Sequence, residues 1–135
     1  MQIKNSEISV IIPLKNEEDY VEILFENLFN CSLKSAEIII IDAGSTDKTN
    51  EKVKYLKEKE FNSLNIKLVT AGLLFSGGAR NLGFSKATNN WILFLDAGIQ
   101  VTEDYLSEVK TIASDTNSDF IQGSIKFSGS NNISK

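Results

Sequence analysis

The sequence predicts a doubly wound α/β fold, a mostly parallel sheet with helices on both faces. Two patterns predict it. Apolar runs of strand length alternate with segments whose apolar residues recur at helical spacing. The strand-like runs are continuously apolar rather than alternating, as strands covered on both faces are. A third observation places a site. Three of these strands run into polar clusters, and parallel strands deliver all three clusters to one edge of the sheet.

The elements follow in order. "ISVIIPL" (8–14) is the first strand. "EEDYVEILFENLFN" (17–30) sets Val21, Leu24, Phe25, Leu28 and Phe29 at helical spacing. "AEIIIID" (36–42) is the second strand, and "STDKTNEKVKYLKEKEF" (45–61) a charged helix with a thin buried stripe at Val53 and Leu56. "NIKLVTA" (65–71) is the third strand. "SGGARNLGFSKAT" (76–88) puts Ala79, Leu82 and Gly83 on one helical face. "WILFLDA" (91–97) is the fourth strand, and "TEDYLSEVKTIAS" (102–114) carries Tyr105, Leu106, Val109, Ile112 and Ala113 at helical spacing. "DFIQGSIKF" (119–127) is the last strand. Residues 1–127 read as one domain and 128–135 as a polar tail. Phe25, Phe29 and Phe94 are expected in the core, with Trp91 partly buried.

Composition narrows the function. The chain has 135 residues, a net charge of −4 and a pI near 4.9, so it repels nucleic acid backbones. No apolar run reaches membrane-spanning length. The N-terminus lacks the longer apolar stretch and cleavage site of a signal peptide, which points to a cytoplasmic protein. There is no histidine, so Ser-His and Cys-His pairs are excluded within this chain. The single cysteine, Cys31, forms no internal disulfide and reads as a small buried filler.

The polar rim collects Pro13, Leu14, Lys15, Asn16 and Glu17 after the first strand. It adds Asp42, Gly44, Ser45, Thr46 and Asp47 after the second, and Asp96 after the fourth. For Asp47, capping of the second helix accounts for the residue. Gly44 suits a turn needing positive φ. Asp42 and Asp96 are less easily explained, since strand-end carboxylates are costly unless a cation or hydrogen-bond donors meet them. A ribose, a base edge or a bridging metal would do so. Arg80 has two readings: it pairs with a rim carboxylate, or it joins Gly77, Gly78 and the free N–H groups of a helix start in holding a phosphate. "SGGAR" is no Walker loop, and no G-x-G-x-x-G follows the first strand.

Three blocks in order, "SVIIPLKNEEDYVEILFENLF", "EIIIIDAGSTDKT" and "GGARNLGFSKATNNWILFLDAG", resemble the family 2 glycosyltransferases, inverting enzymes of the GT-A fold. The resemblance spans roughly residues 8 to 110. It implies a Rossmann-like half-domain that binds a nucleotide-diphosphate sugar, often a UDP-sugar. Pro13, Leu14, Asn16 and Glu17 would lie against the base and ribose; Asp42, Gly44 and Ser45 would hold the nucleoside; Arg80 would sit near the phosphates. Asp96 would be the first carboxylate of a D-x-D motif and the ligand of a divalent metal, Mg or Mn. An acceptor hydroxyl on a carbohydrate, lipid or protein would displace the diphosphate.

This sequence departs from the family pattern at Ala43, where a second aspartate is common, and at Gly98, where the last carboxylate of D-x-D is missing. Gln100 stands nearby as a substitute. The catalytic base is unknown, expected beyond residue 135. The alternative is a truncated or inactive GT-A-like domain that binds a nucleotide or a partner without turnover. A homodimer through an exposed sheet edge, and a peripheral position at the inner face of the membrane, are further expectations.

Overall fold

A computed structural model of the chain describes residues 3–31, 33, 35–117 and 119–121. After a 3-10 turn at Asn5–Glu7 come β1 (Ile8–Leu14), α1 (Val21–Asn30), β2 (Glu37–Ala43), α2 (Thr49–Glu58), β3 (Ile66–Ala71), α3 (Ser76–Lys86), β4 (Trp91–Phe94) and α4 (Tyr105–Thr116). The strands form one parallel sheet in the order β3-β2-β1-β4. The chain steps outward from β1 to β3, then crosses back to lay β4 on the other side of β1. That reversal is where ligands bind in open α/β sheets.

Alternation within each strand sorts the core into two layers. Val10, Ile12, Leu14, Ile38 and Ile40 face α1, α2 and α4 and meet Val21, Leu24, Phe25, Leu28, Val53, Leu56, Leu106 and Ala113. Ile39, Ile41 and Ala43 face the other way, toward Ala79 and Leu82 of α3. The inner strands β1 and β2 are therefore buried almost throughout, whereas β3 and β4 at the edges are partly exposed.

Helix α3 comes close to the sheet because of Gly83. A Cβ there would stand 2.4 Å from Cγ2 of Ile11, a branch methyl that is fully buried. Gly83→Ala is expected to lower the unfolding free energy by about 1–2 kcal/mol, the overpacking cost less the gain in helix propensity. Ile11→Ala costs about 2–5 kcal/mol by itself, but in that background the further loss from Gly83→Ala should shrink in a denaturant titration, because the added methyl has room.

The amino end of the sheet is closed by one buried carboxylate. Glu37 is 4% exposed and accepts four hydrogen bonds: from Ser9 Oγ (2.7 Å), Lys67 Nζ (2.7 Å), Thr88 N–H (2.9 Å) and Thr88 Oγ1 (2.8 Å). These donors come from β1, β3 and the α3–β4 loop, so Glu37 ties the whole sheet together. Burial alone pushes its carboxyl up, but the Lys67, Thr88 and Ser9 hydrogen bonds outweigh it and bring the pKa down to about 2.

Element positions follow the sequence expectations, with corrections at several ends. α1 starts at Val21 rather than 17, because Asn16 adopts a left-handed conformation (φ 52°) and residues 17–20 make a turn before the helix. α2 starts at Thr49 rather than 45, since residues 45–48 belong to a loop. α4 runs two residues past the expected end, to a left-handed cap at Asn117 (φ 51°). β4 stops at Phe94, and Asp96 opens a turn in which Ile99 N–H donates to its carbonyl. Phe25 is core as expected and Trp91 is partly buried, but Phe29 is 44% and Phe94 48% exposed. Phe29 lies edge-on to Phe61 at the margin, and Phe94 sits on an edge strand. Of the expected last strand, residues 119–121 have no regular structure; the rest of it and the polar tail lie outside the described residues.

Candidate functional site

The four loops at the carboxyl edge of the sheet are joined to one another. The β1–α1 and β2–α2 loops interlock. Asn16 N–H donates to Ser45 Oγ (2.9 Å), and Asn16 Oδ1 accepts from Thr46 N–H (2.8 Å). Glu17 N–H donates to Thr49 Oγ1 (2.8 Å), Glu18 N–H to Asp47 Oδ2 (3.4 Å), and Lys48 N–H to Glu18 Oε2 (3.2 Å). The left-handed turn at Asn16 aims its amide at the neighbouring loop, a conformation that asparagine tolerates better than most residues.

Asp42 stands beneath this interlock, level with Leu14 on one neighbour and Thr70 on the other. It is 2% exposed, so an unmet carboxylate would be costly. The protein meets it with its own donors: Ser45 N–H to Oδ1 (2.9 Å) and Asn50 Nδ2 to Oδ2 (2.8 Å), the same amide also reaching Thr70 Oγ1 (3.0 Å). The carboxylate that looked in the sequence to be awaiting a ligand thus shapes the turn above it. Gly44 continues that turn at φ 88°. A Cβ on it would stand 3.1 Å from the backbone of Leu73, so the β2–α2 and β3–α3 loops touch there.

Asp47 caps α2, as its place before the helix suggests. Its Oδ1 accepts from Thr49 N–H (2.9 Å) and from the Thr49 hydroxyl. Burial raises this carboxyl, but the Thr49 and Glu18 hydrogen bonds lower it further, for a net downward shift.

Arg80 and Asp96 close the ring on the β4 side. Arg80 NH2 lies 2.7 Å from Asp96 Oδ1, and both side chains are well exposed. The first reading of Arg80, pairing with a rim carboxylate, is the observed one. Behind them, the Asn27 amide grips the backbone of Val101 from both sides (2.8 and 3.0 Å), and Cys31 is buried beside it. Burial, and then the Glu103 carboxylate, push the Cys31 thiol up, against a thiolate nucleophile.

The structure therefore gathers Asn16, Glu17, Asp42, Gly44 and Ser45 into one interlocked group and Arg80 with Asp96 into a second. Leu14 is buried and serves the core, while Pro13 is partly exposed at the strand end. Sequence reasoning missed Glu18, Thr49, Asn50 and Thr70. "STDKTN" reads as a helix start, and only the fold shows its side chains bonding to strands and to a loop some thirty residues away. A shallow depression of about 230 Å³ between α1 and α2 is lined by Glu22, Lys48, Glu51, Lys52, Tyr55 and Leu56 and adjoins the interlock at Lys48 and Lys52, which bond to Glu18.

The profile of the family described as "Glycosyl transferase family 2" matches residues 9–134. The chain belongs to that family. As a family 2 glycosyltransferase chain it is 30% identical over 102 residues to glycosyltransferase GlyA of Streptococcus pneumoniae, covering 76% of this chain and 14% of that protein. It is 33% identical over 122 residues to the uncharacterized glycosyltransferase YibD of Escherichia coli, covering 90% and 35%. Its fold matches TarS of S. aureus solved with UDP, at TM-score 0.71 and 28% identity over 84% of this chain and 33% of that one. It also matches the mannosyltransferase PcManGT of Pyrobaculum calidifontis, in complex with GDP-Man and Mn2+, at TM-score 0.70 and 25% identity over 79% and 32%. The chain spans about a third of the length of most of these relatives. The fold is that of the GT-A glycosyltransferases.

A divalent cation fits the family 2 site poorly here. Gly98 brings no carboxylate, Asp96 already accepts from Arg80, and among the described residues no three acidic, cysteine or histidine side chains converge. No helix among the described residues is long and apolar enough to cross a membrane.

Proposed function

We propose that this chain is the donor-binding half of an inverting glycosyltransferase that takes a UDP-sugar. The observation that carries the reading is the pair of side-chain groups at the carboxyl edge, Asn16 with Ser45 and Asp42 in one and Arg80 with Asp96 in the other. The two groups lie where the strand order reverses, and a fold neighbour, TarS of S. aureus, has been solved with UDP.

In this reading Pro13, Asn16 and Glu17 form the wall for base and ribose, with Leu14 packed behind them in the core. Asp42 acts through the Gly44–Ser45 turn it holds. Arg80 meets the diphosphate beside the N-terminus of α3, whose first N–H groups have no capping side chain. Asp96 keeps the guanidinium in place. The acceptor hydroxyl, on a carbohydrate, lipid or protein, attacks the anomeric carbon, its proton passes to a base, and UDP leaves. Leu73, Phe75, Phe84 and Phe94, all strongly exposed, offer apolar surface for further chain or a second copy to cover.

Calorimetry with UDP, GDP, UMP and ADP tests the reading. UDP is expected to bind about tenfold more tightly than GDP or UMP, a difference of about 1.4 kcal/mol. Binding of none of the four would sink it. The second reading, binding without turnover, is favoured by Gly98; UDP binding with no donor hydrolysis would uphold it.

A further inference from the structure

We propose that Arg80 supplies the positive charge that a divalent cation would otherwise bring to the diphosphate, so that this domain takes up its nucleotide without a metal held by its own side chains. The inference rests on the nucleotide-binding reading above and deepens it.

The rim offers a metal little of its own. Mg²⁺ and Mn²⁺ take about six oxygen ligands, of which a protein usually supplies one or two carboxylates and the diphosphate and waters the rest. The carboxyl edge here has one carboxylate facing α3, Asp96, and it is already engaged at 2.7 Å. Asp42 and Asp47 are turned inward onto Ser45, Asn50, Thr49 and Glu18. At position 98 a Cβ would meet nothing within 4 Å, so the gap there comes from the residue type and not from crowding. A cation entering beside Asp96 would have to displace the guanidinium, and among the described residues no three acidic, cysteine or histidine side chains converge to receive it.

Arg80 is suited to the same electrostatic task. A diphosphate placed beside a bare Asp96 would be repelled; the ion pair removes that repulsion in advance. The guanidinium has five N–H donors in a planar fork, and the Asp96 bond leaves the others available for phosphate oxygens. Arg80 stands one turn into α3, whose start carries Gly77 and Gly78 and no side-chain cap, and helical side chains lean toward the N-terminus. The pair is a surface pair that contributes little, so sharing Arg80 with a ligand costs little. Asp96 is then a positioning residue for Arg80 and not a metal ligand.

The test is titration of the 135-residue chain with UDP in EDTA and in Mn2+, alongside Arg80→Gln, Arg80→Lys and Gly98→Asp. The expected result is the same wild-type affinity, within about threefold, in both buffers. Arg80→Gln should weaken binding in EDTA by about 10- to 100-fold, with partial recovery in Arg80→Lys and an unchanged circular dichroism spectrum. Gly98→Asp should tighten binding in Mn2+ alone, and should quench the aqueous Mn2+ paramagnetic resonance signal with UDP present, where the wild type does so no more than UDP itself. Wild-type binding that vanishes in EDTA and returns with Mn2+ overturns this inference and leaves the nucleotide reading intact. Undiminished binding by Arg80→Gln also overturns it. No binding in either buffer overturns the nucleotide reading and this inference with it.

Discussion

Glu37→Ala is expected to lower the unfolding free energy by about 3–5 kcal/mol, a large part of what a domain of this size possesses. The cost arises on the partner side. Ser9 Oγ, fully buried, would lose its acceptor, and so would Thr88 N–H and Thr88 Oγ1 at the margin of the site. Lys67→Met is the informative comparison. The Lys67 side chain is half exposed, and removing it leaves Glu37 with three donors, so the loss should stay within about 1–2 kcal/mol. Equal losses for the two variants in urea titrations would show that the ion pair, and not the buried network, carries the stability.

The same carboxylate sets an acid limit. Its folded pKa of about 2 lies below the ordinary value of 4.5, so its contribution is complete above pH 4.5 and is lost as pH falls toward 2. A gap of about 2.5 units corresponds to about 3 kcal/mol. Subtracting the profile of Glu37→Gln from that of the wild type removes the other carboxylates, and the difference should fall by roughly that amount between pH 5 and pH 2. A flat difference would mean that Glu37 is protonated together with the unfolded chain.

Asp42→Asn is expected to do damage of a different kind. The substitution conserves shape, yet one carboxylate oxygen becomes an NH2 group facing either Ser45 N–H or the Asn50 amide, donor against donor. A loss of about 1–3 kcal/mol in stability follows from the buried unpaired donor. The functional loss should be larger in proportion. The Gly44–Ser45 turn is held by Asp42, and Ser45 in turn holds Asn16. Under the nucleotide-binding reading, UDP affinity should drop by about tenfold or more at a temperature where the variant is fully folded. Wild-type affinity in a destabilised but folded variant would detach Asp42 from the site. Asn50→Asp offers a cross-check: it puts two carboxylates in contact, and its effect should grow as pH rises above the carboxylate range.

The sequence by itself determined the element types, their order and the faces they bury. Ile38–Ile41 cannot be anything but an inner strand, because every one of those side chains needs cover and two faces are required to provide it. Ala79 and Gly83, one helical turn apart, mark the face of α3 that meets the sheet. The gathering of Asn16, Asp42, Arg80 and Asp96 at one edge follows from parallel strands alone. Only the tertiary structure decided what those groups bond to. Asp42 had seemed to lack partners because its donors, Ser45 and Asn50, lie in a loop and a helix whose positions depend on how α2 docks. Glu37 attracted no notice in the sequence, since its partners come from three elements that meet only once the sheet has assembled. The exposure of Phe94 depended on which strand became an edge. The physical reason is common to all three cases. Burial periodicity is local and reads out along the chain, whereas hydrogen bonding between distant side chains depends on packing to within a fraction of an ångström.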